Sequence, residues 1–286
     1  MKNSTVKMAV ACALSVLAVP AFSAATSTVS VGNVTMTLTD LDLNDGITPW
    51  IALGPTLPYI NGGVGTYGNV IDQDNYAAVG SGNMSALHGG SKSALASSTA
   101  SMVGANNVLG FSAIDLSGHA ASDAVGYAEY GAFATTYINS SFTVSAHTMV
   151  TISYDISMNL ATTIGFVPGG DSESARGSIF FGLSGISNGE MQSDAWDRSL
   201  EANYNWDKSG PHGDSSIWQQ NLSVSFSNYD ATEAIATATT TATIGGNSVV
   251  TSAVPEPGTY GMLLAGLGLL GAVVRRRDGA AAKPGK

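Results

Sequence analysis

The sequence contains a single cysteine, few charged residues and very few basic ones. Only 11% of its 286 residues are charged, and 11 Lys and Arg stand against 21 Asp and Glu. The pI near 4.6 argues against nucleic-acid binding, which requires clustered Lys and Arg. An apolar content of 44% is too high for a wholly disordered chain, and the absence of a Gly-X-Y period excludes a collagen-like one.

The one cysteine, Cys12, lies in an apolar run near the N-terminus, Met8 to Val19, which follows two lysines and precedes several small residues. This order is typical of a secretory signal peptide, which we predict over residues 1–25, with signal peptidase cutting after Ser23 or after Ala25. The alternative is a lipoprotein acylated on Cys12, but apolar sequence continues beyond that residue. Removal of the signal leaves no cysteine, which excludes disulfides, Cys-zinc sites and a Cys nucleophile from the mature chain.

A second apolar run, Gly261 to Val274, lies near the C-terminus. As a helix it rises about 21 Å, less than the hydrocarbon core of about 30 Å. We therefore predict a marginal transmembrane helix over residues 259–274, with a cytoplasmic tail over 278–286. Three arginines follow the helix and place its C-terminal side in the cytoplasm: Arg275, Arg276 and Arg277.

Two prolines around a glutamate stand directly before this helix, in the order Val254, Pro255, Glu256, Pro257. Such a segment cannot join a helix or a central strand, so we expect it to be extended and accessible to a protease. Together with the apolar helix and the arginines, it resembles the PEP-CTERM sorting signal over residues 254–277. The resemblance implies an exported protein of a Gram-negative, exopolysaccharide-producing bacterium, processed at the inner membrane by exosortase. An ordinary C-terminal tail anchor is the alternative.

Between these two signals, residues 26–244 show the period of β-strands. The strongest alternation runs from Val150 to Leu160, where every second residue is apolar. Weaker strand patterns occur at 34–38, 142–146, 179–181, 222–226 and 237–244. Half-buried antiparallel strands favour an all-β fold, an antiparallel β-sandwich or jelly-roll-like domain. Long helical patterns are absent, although 91–103 and 193–200 each predict a helical turn or two, and 245–253 predicts a linker.

The predicted sandwich is strongly acidic. It holds 19 of the 21 acidic residues but only four of the 11 basic ones, Lys92, Arg176, Arg198 and Lys208. Such a surface repels anionic polymers and anionic bilayers unless divalent cations intervene.

An acidic segment after the first strand pattern is a candidate calcium site. Its ligands would be Asp40, Asp42, Asn44 and Asp45. Carboxylates spaced by two residues can converge on a hard cation. The pattern departs from an EF-hand, because its glycine falls one place late and Ile51 stands where a glutamate is needed. A solvated turn is the alternative, and we predict no other cofactor.

Three tryptophans form a candidate glycan-contact group: Trp196, Trp206 and Trp218, interleaved with Asp and Asn residues. An indole face can stack on a sugar ring while amides and carboxylates bind its hydroxyls. The alternative is that these rings cover or fill the core, since tryptophan is mostly buried.

Two further functions have weaker motifs. The four histidines show no metal-ligand spacing, and no Gly-x-Ser-x-Gly elbow supplies a nucleophile, so we predict that the protein is not an enzyme. The threonine-rich segment 237–243 invites an ice-binding hypothesis, but one short row cannot build a flat array, and we predict an edge or outer strand.

We therefore predict an exported surface or extracellular-matrix protein with a structural or adhesive role in an exopolysaccharide matrix. Signal peptidase and exosortase would be its processing partners, and the inner membrane would hold it before processing. Its final location would be the cell envelope or the extracellular space. The alternative is a carbohydrate-binding module, and an extracellular hydrolase or an ice-binding protein is a further one.

Overall fold

The computed structural model of the protein describes residues 23–68, 71–80, 86–122, 126–136, 140–164, 170–203, 205–207, 210–250 and 265. All but the last belong to one compact unit, Ser23–Ser252. A second unit consists of Met1–Phe22 and Ala253–Lys286. The predicted signal peptide up to residue 22, the transmembrane helix 259–274 and the tail 278–286 therefore lie outside the described residues, Ala265 excepted. Within the described part of the chain, no helix has the length and apolar character needed to cross a membrane.

The unit Ser23–Ser252 is all-β, as the alternating patterns predict. In chain order its described strands are β1 (Ser23–Asp40), β2 (Ile51–Leu53), β3 (Pro58–Gly68), β4 (Asp72–Val79), β5 (Leu87–Lys92), β6 (Ala96–Gly104), β7 (Phe111–Ser122), β8 (Gly126–Thr136), β9 (Ser140–Val144), β10 (Thr148–Thr162), β11 (Ser172–Ser187), β12 (Glu190–Ala202), β13 (Asn205–Asp207), β14 (Gly210–His212), β15 (Ser215–Asn228) and β16 (Ala234–Val250). Every strand pattern named from the sequence coincides with one of these strands, although the pattern 142–146 continues two residues beyond the end of β9 at Val144.

The strands form two large antiparallel sheets. The six-stranded sheet has the order β15-β10-β1-β7-β6-β5. The eight-stranded sheet has the main order β12-β11-β16-β8-β3-β4. Strand β9 pairs with the part of β16 that precedes its pairing with β8, and β2 pairs with β9. The short strands β13 and β14 pair with each other as a hairpin, and His212 of β14 also forms an isolated antiparallel bridge with Ile164. The predicted antiparallel all-β class is confirmed.

One hydrophobic core lies between the two large sheets. In strand β10, every second residue from Val150 to Leu160 is apolar, and each of these side chains is buried. From this row the Tyr154 ring stacks on Phe181 of the opposite sheet, with ring centroids 3.8 Å apart. The period-two pattern therefore marks the face that joins the sheets into a sandwich.

Strand β1 changes its buried face part-way along its length. Ala25, Val29 and Val31 are buried before the change, whereas the even-numbered residues from Val34 to Leu38 pack against the core after it. The register with β10 shifts at this point, and Asn33 adopts a positive φ of 51°. A β-bulge of this kind adds one residue and so exchanges the two faces of the strand.

Three predictions about local structure were wrong. The segments 91–103 and 193–200, for which a helical turn was predicted, lie in the β5–β6 region and in β12. Strand β12 pairs with β11 along its whole length, so pairing with a neighbour overrides the local pattern. The threonine row 237–243 is not on an edge, because β16 lies between β11 and the β8–β9 path and Thr240 is fully buried.

The predicted linker 245–253 is also a strand as far as Val250. Its two glycines suggest flexibility in the sequence, but each has a packing role in the structure. A Cβ on Gly246 would collide with the Tyr130 phenol, which occupies the core, and a Cβ on Gly245 would lie 3.1 Å from Arg176 Nε. The glycines therefore permit close packing inside the sheet.

Both chain ends of the sandwich emerge at the same end of the structure. Ser23 pairs with Ser122, and Val250 pairs with Gly126, so both lie beside the β7–β8 connection. We call this the entry end. The opposite end, which we call the far end, contains the loop 41–50, the turn 145–147 and the segment 229–233, because Asp40, Thr148 and Asn228 are in register there.

Candidate functional site

The predicted calcium loop lies at the far end and is folded by its own carboxylates. Asp40 Oδ1 accepts a hydrogen bond from the Asp42 amide at 2.9 Å, and Asp42 Oδ1 accepts one from the Asn44 amide at 3.0 Å. Asp45 Oδ1 accepts a third from the Ile47 amide at 2.7 Å. Each of the three carboxylates therefore uses an oxygen to fix a local turn.

The structure adds a histidine to this loop. His147 Nδ1 lies 2.7 Å from Asp45 Oδ2, and His147 itself has a positive φ of 45° in the turn before β10. The pKa of Asp45 is lowered, first by the hydrogen bond from the Ile47 amide and then by the one with His147. The contact joins the loop after β1 to the turn between β9 and β10. The loop and the turn are about 100 residues apart in the chain.

Ligand atoms of Asp42, Asp45 and His147 lie within 4.8 Å of one another. This group contains two of the four predicted calcium ligands, Asp42 and Asp45, while Asp40 is not part of it. An imidazole nitrogen suits zinc and related metals, whereas calcium takes oxygen ligands. Calcium binding at this loop therefore stays a prediction. No sequence pattern pointed to His147, because its contact depends on how distant turns meet.

Two of the three predicted glycan-contact tryptophans lie face to face. The Trp196 ring on β12 and the Trp218 ring on β15 have centroids 5.1 Å apart and planes 12° apart. The Arg198 guanidinium lies 5.9 Å from the Trp218 ring centroid. Both rings are half-buried and pack against the core. Trp206 lies in β13 of the short hairpin, and its side chain is outside the described residues.

This stack closes the sandwich where both sheets end, since β12 and β15 are the edge strands of their sheets. Asp194 on β12 makes a second contact between the two edge strands, because its carboxylate accepts a 2.8 Å hydrogen bond from the Ser225 amide on the edge of β15. By accepting from this edge amide, the exposed Asp194 carboxylate blocks further strand pairing at that point. The geometry of Trp196 and Trp218 supports the interpretation in which they cover the core, because they stack on each other.

A different group of aromatic and amide side chains lines a trough on the outer face of the eight-stranded sheet. Tyr59 and Asn61 come from β3, Asn75 from β4, Gly131 and Phe133 from β8, and Thr243 from β16. The trough has a volume of about 490 Å³. Sequence analysis missed it because these residues come from four strands. The available signal was the mixture of glycine and aromatic residues within 59–67 and 127–133.

A second trough, of about 640 Å³, lies on the outer face of the six-stranded sheet, and its lining includes Asp115, Asp155 and Asn221. Asp155 in this trough accepts hydrogen bonds from the side-chain amides of Asn33 and Asn221, at 2.7 and 2.8 Å. These two bonds lower its pKa, the one from Asn33 having the larger effect. The carboxylate therefore joins the β1 bulge to β15.

The predicted processing motif, Val254 to Pro257, and the arginines 275–277 lie outside the described residues. A family model described as the PEP-CTERM protein-sorting motif matches residues 253–277. The chain carries a PEP-CTERM sorting motif. The match confirms the resemblance found over 254–277, and the motif implies export and membrane-anchored processing by exosortase. No curated protein and no solved structure shows significant similarity to the chain.

Proposed function

We propose that the chain is an exported surface or extracellular-matrix protein whose sandwich has a structural or adhesive role in an exopolysaccharide matrix. The PEP-CTERM motif at residues 253–277 carries this proposal. The signal peptide 1–25, the transmembrane helix 259–274 and the cytoplasmic arginines are parts of the same proposal. After exosortase processing near Pro255-Glu256-Pro257, the sandwich would remain in the envelope or leave the cell.

The arrangement of the sandwich supports processing at both termini. Strands β1 and β16 are central in their sheets, and Ser23 and Val250 both lie at the entry end. Segments outside these residues can therefore be removed without taking away a paired strand. The sandwich would keep its core after both cuts, which a matrix protein requires.

The sorting part is tested by the double substitution Pro255→Ala and Pro257→Ala in a cell that processes the wild-type chain. We expect the variant to stay at full length in the inner membrane, because an alanine pair lets the segment continue the neighbouring helix. The matched control is Thr251→Ala with Ser252→Ala, just outside the motif, which should be processed normally. A proline variant with wild-type processing and location would contradict the proposal.

We propose a non-enzymatic role and no resident cofactor other than calcium at the loop Asp40–Asp45. The loop is tested by thermal unfolding with calcium chloride. A rise in Tm that Asp42→Asn abolishes would support calcium, because a ligand that binds only the folded state stabilises it. An unchanged Tm would remove calcium from the proposal.

Carbohydrate binding is the second candidate function. The observation that favours it is the aromatic trough on the eight-stranded sheet, since the stacked pair Trp196 and Trp218 uses its ring faces for packing. This function would be compatible with an adhesive role in a polysaccharide matrix.

A further inference from the structure

The six residues named above as lining the trough belong to three transverse rows on the outer face of the eight-stranded sheet. The first row is Thr241, Thr135, Tyr59 and Val79, the second is Thr243, Phe133, Asn61 and Ala77, and the third is Gly245, Gly131, Gly63 and Asn75. Each row crosses β16, β8, β3 and β4 in that order. At a strand spacing of about 4.8 Å, the trough therefore extends for about 14 Å across the sheet.

Two glycines, Gly63 and Gly131, lie in the floor of the trough. The Asn75 side chain covers Gly63, and Arg176 covers Gly245 at the end of the same row. A Cβ added at Gly131 would have only one neighbour within 4 Å, the Ile244 carbonyl oxygen at 3.8 Å. Internal packing therefore does not require glycine at this position. Glycine inside a strand weakens it and often marks a place where a ligand approaches the backbone closely. Gly131 leaves open space in the middle of a central strand.

One wall of the trough is aromatic. The rings of Tyr59 and Phe133 meet edge to face, with centroids 6.2 Å apart and planes at 61°. The Asn61 side-chain amide donates a 2.9 Å hydrogen bond to the Tyr59 hydroxyl, which holds the ring in place. All three side chains are half-buried, so the rings present part of their surface to the trough.

The polar groups of the trough are uncharged. They are the side chains of Asn61, Asn75 and Thr243 and the Tyr59 hydroxyl. No charged side chain is among the described residues that line the trough, although Arg176 lies beside Gly245 at the end of the third row. The sandwich as a whole is acidic, with 19 carboxylates and four basic residues. An anionic ligand would be repelled by this surface, and an uncharged one would not.

We propose that this trough binds an uncharged polysaccharide chain. Phe133 and Tyr59 would contact the C–H faces of a sugar ring, the Asn61 and Asn75 amides and the Thr243 hydroxyl would bind sugar hydroxyls, and the glycine floor would admit the ring close to the sheet. This inference rests on the proposed matrix function and deepens it, since it names the matrix component that the sandwich contacts and the face that contacts it.

The test is affinity electrophoresis of the full-length chain in a polyoxyethylene detergent, because a sugar-based detergent would compete for the trough. Gels contain dextran, galactomannan or hydroxyethylcellulose as neutral polymers, or alginate as an anionic one. We expect at least one neutral polymer to retard the wild-type chain and alginate not to do so. Gly131→Val should fill the floor and weaken retardation at least tenfold, and Phe133→Ala should do the same.

Two control variants separate the trough from other surfaces. Gly32→Val is the matched control, because a Cβ at Gly32 on the six-stranded sheet likewise has open space, with no atom within 4 Å. Trp196→Ala tests the tryptophan pair. Both should be retarded as the wild type is. Gly131→Ala, with a smaller side chain, should give an intermediate loss, and near-UV circular dichroism confirms that each variant is folded.

Four results would overturn the inference: no retardation of the wild type by any neutral polymer, retardation by alginate alone, a Gly131→Val chain that binds normally, or a dimer that Gly131→Val dissociates. The last result would assign the trough to a second copy of the chain. Because the measurement uses purified protein, its failure leaves the sorting proposal standing. Normal processing of the Pro255/Pro257 variant would equally leave the measured binding valid.

Discussion

The indole rings of Trp196 and Trp218 stack 5.1 Å apart and connect the edge strands of the two sheets. Neither ring has a sequence neighbour that predicts this contact, because the two residues belong to different strands and different sheets. The stack lies against the core at a point where neither sheet has a further strand. It therefore takes the place of the side chains that a wider sandwich would supply there.

We expect Trp196→Ala and Trp218→Ala each to lower the free energy of unfolding by about 2 kcal/mol, less than for a fully buried tryptophan. The double variant should cost less than the sum, with a coupling of about 1 kcal/mol from the lost stack. Urea unfolding measures all four chains. Additive costs would show that the two rings stabilise the sandwich independently.

Two buried tyrosines should respond in opposite ways to loss of their hydroxyl groups. The Tyr154 hydroxyl is buried and has no hydrogen-bond partner in the described structure, whereas the Tyr130 hydroxyl lies 2.6 Å from Ser27 Oγ. Tyr154→Phe should therefore raise the free energy of unfolding by about 1 kcal/mol, and Tyr130→Phe should lower it by about 1 kcal/mol. Urea unfolding of both variants checks the signs, and equal signs would contradict the assigned contacts.

The sequence predicted the strands of this protein better than their places in the sheets. The segment 150–160 shows its buried face directly, because a side-chain period of two needs no knowledge of the neighbouring strand. The position of 237–243 in the middle of a sheet depends on pairing with β11 and β8, which no local pattern reveals. The predicted linker 245–253 was wrong as far as Val250 for the same reason, since β8 and β11 pair with this segment from other parts of the chain.

The candidate sites show the same limit. The loop Asp40–Asp45 was visible because its residues are consecutive, but its partner His147 comes from a distant turn. The trough joins four strands in three rows, so its residues share no spacing in the chain. The PEP-CTERM motif is the opposite case, because all its parts are adjacent in sequence and it could be recognised without a fold.

Alkaline pH should destabilise the sandwich. Burial raises the pKa of Tyr154 and Tyr130 above 10.0, and it raises the pKa of Tyr127 to about 12, with Glu129 adding to the effect. A group with a raised native pKa contributes its full stabilisation below the unfolded pKa and loses it as the pH rises toward the native one. The free energy of unfolding should therefore fall above about pH 10.

Urea unfolding from about pH 9 to about pH 11 measures this decline, in which each tyrosine contributes up to about 1.4 kcal/mol per pH unit. Tyr154→Phe should reduce by about one the number of protons that the chain releases on unfolding, and so make the decline less steep. Ser153→Ala, a change at the neighbouring residue on the outer face of β10, is the control and should leave the slope unchanged. A slope that Tyr154→Phe does not alter would show that this tyrosine ionises as readily in the folded chain as in the unfolded one.

The start of β1 favours one of the two signal-peptidase sites predicted from the sequence. Ala25 is fully buried and pairs with Thr162 and Ala120, and the Ala24 amide donates a 2.8 Å hydrogen bond to Thr163 Oγ1. Cleavage after Ala25 would remove these contacts from the core strand. We therefore predict a mature chain that begins at Ala24, which N-terminal sequencing or intact mass of the exported protein will show.

A substitution at Ala21 separates the two cleavage sites in the cell. Signal peptidase reads small residues at the first and third positions before the cut. Ala21→Leu places a large residue at the third position before the cut after Ser23. Small residues remain at both positions before the cut after Ala25. If the natural cut follows Ser23, the variant should accumulate as precursor or give a chain that begins at Thr26. That shorter chain should unfold more easily, because it lacks the buried Ala25. Normal cleavage and stability of the Ala21→Leu variant would show instead that β1 begins at Thr26 in the mature protein.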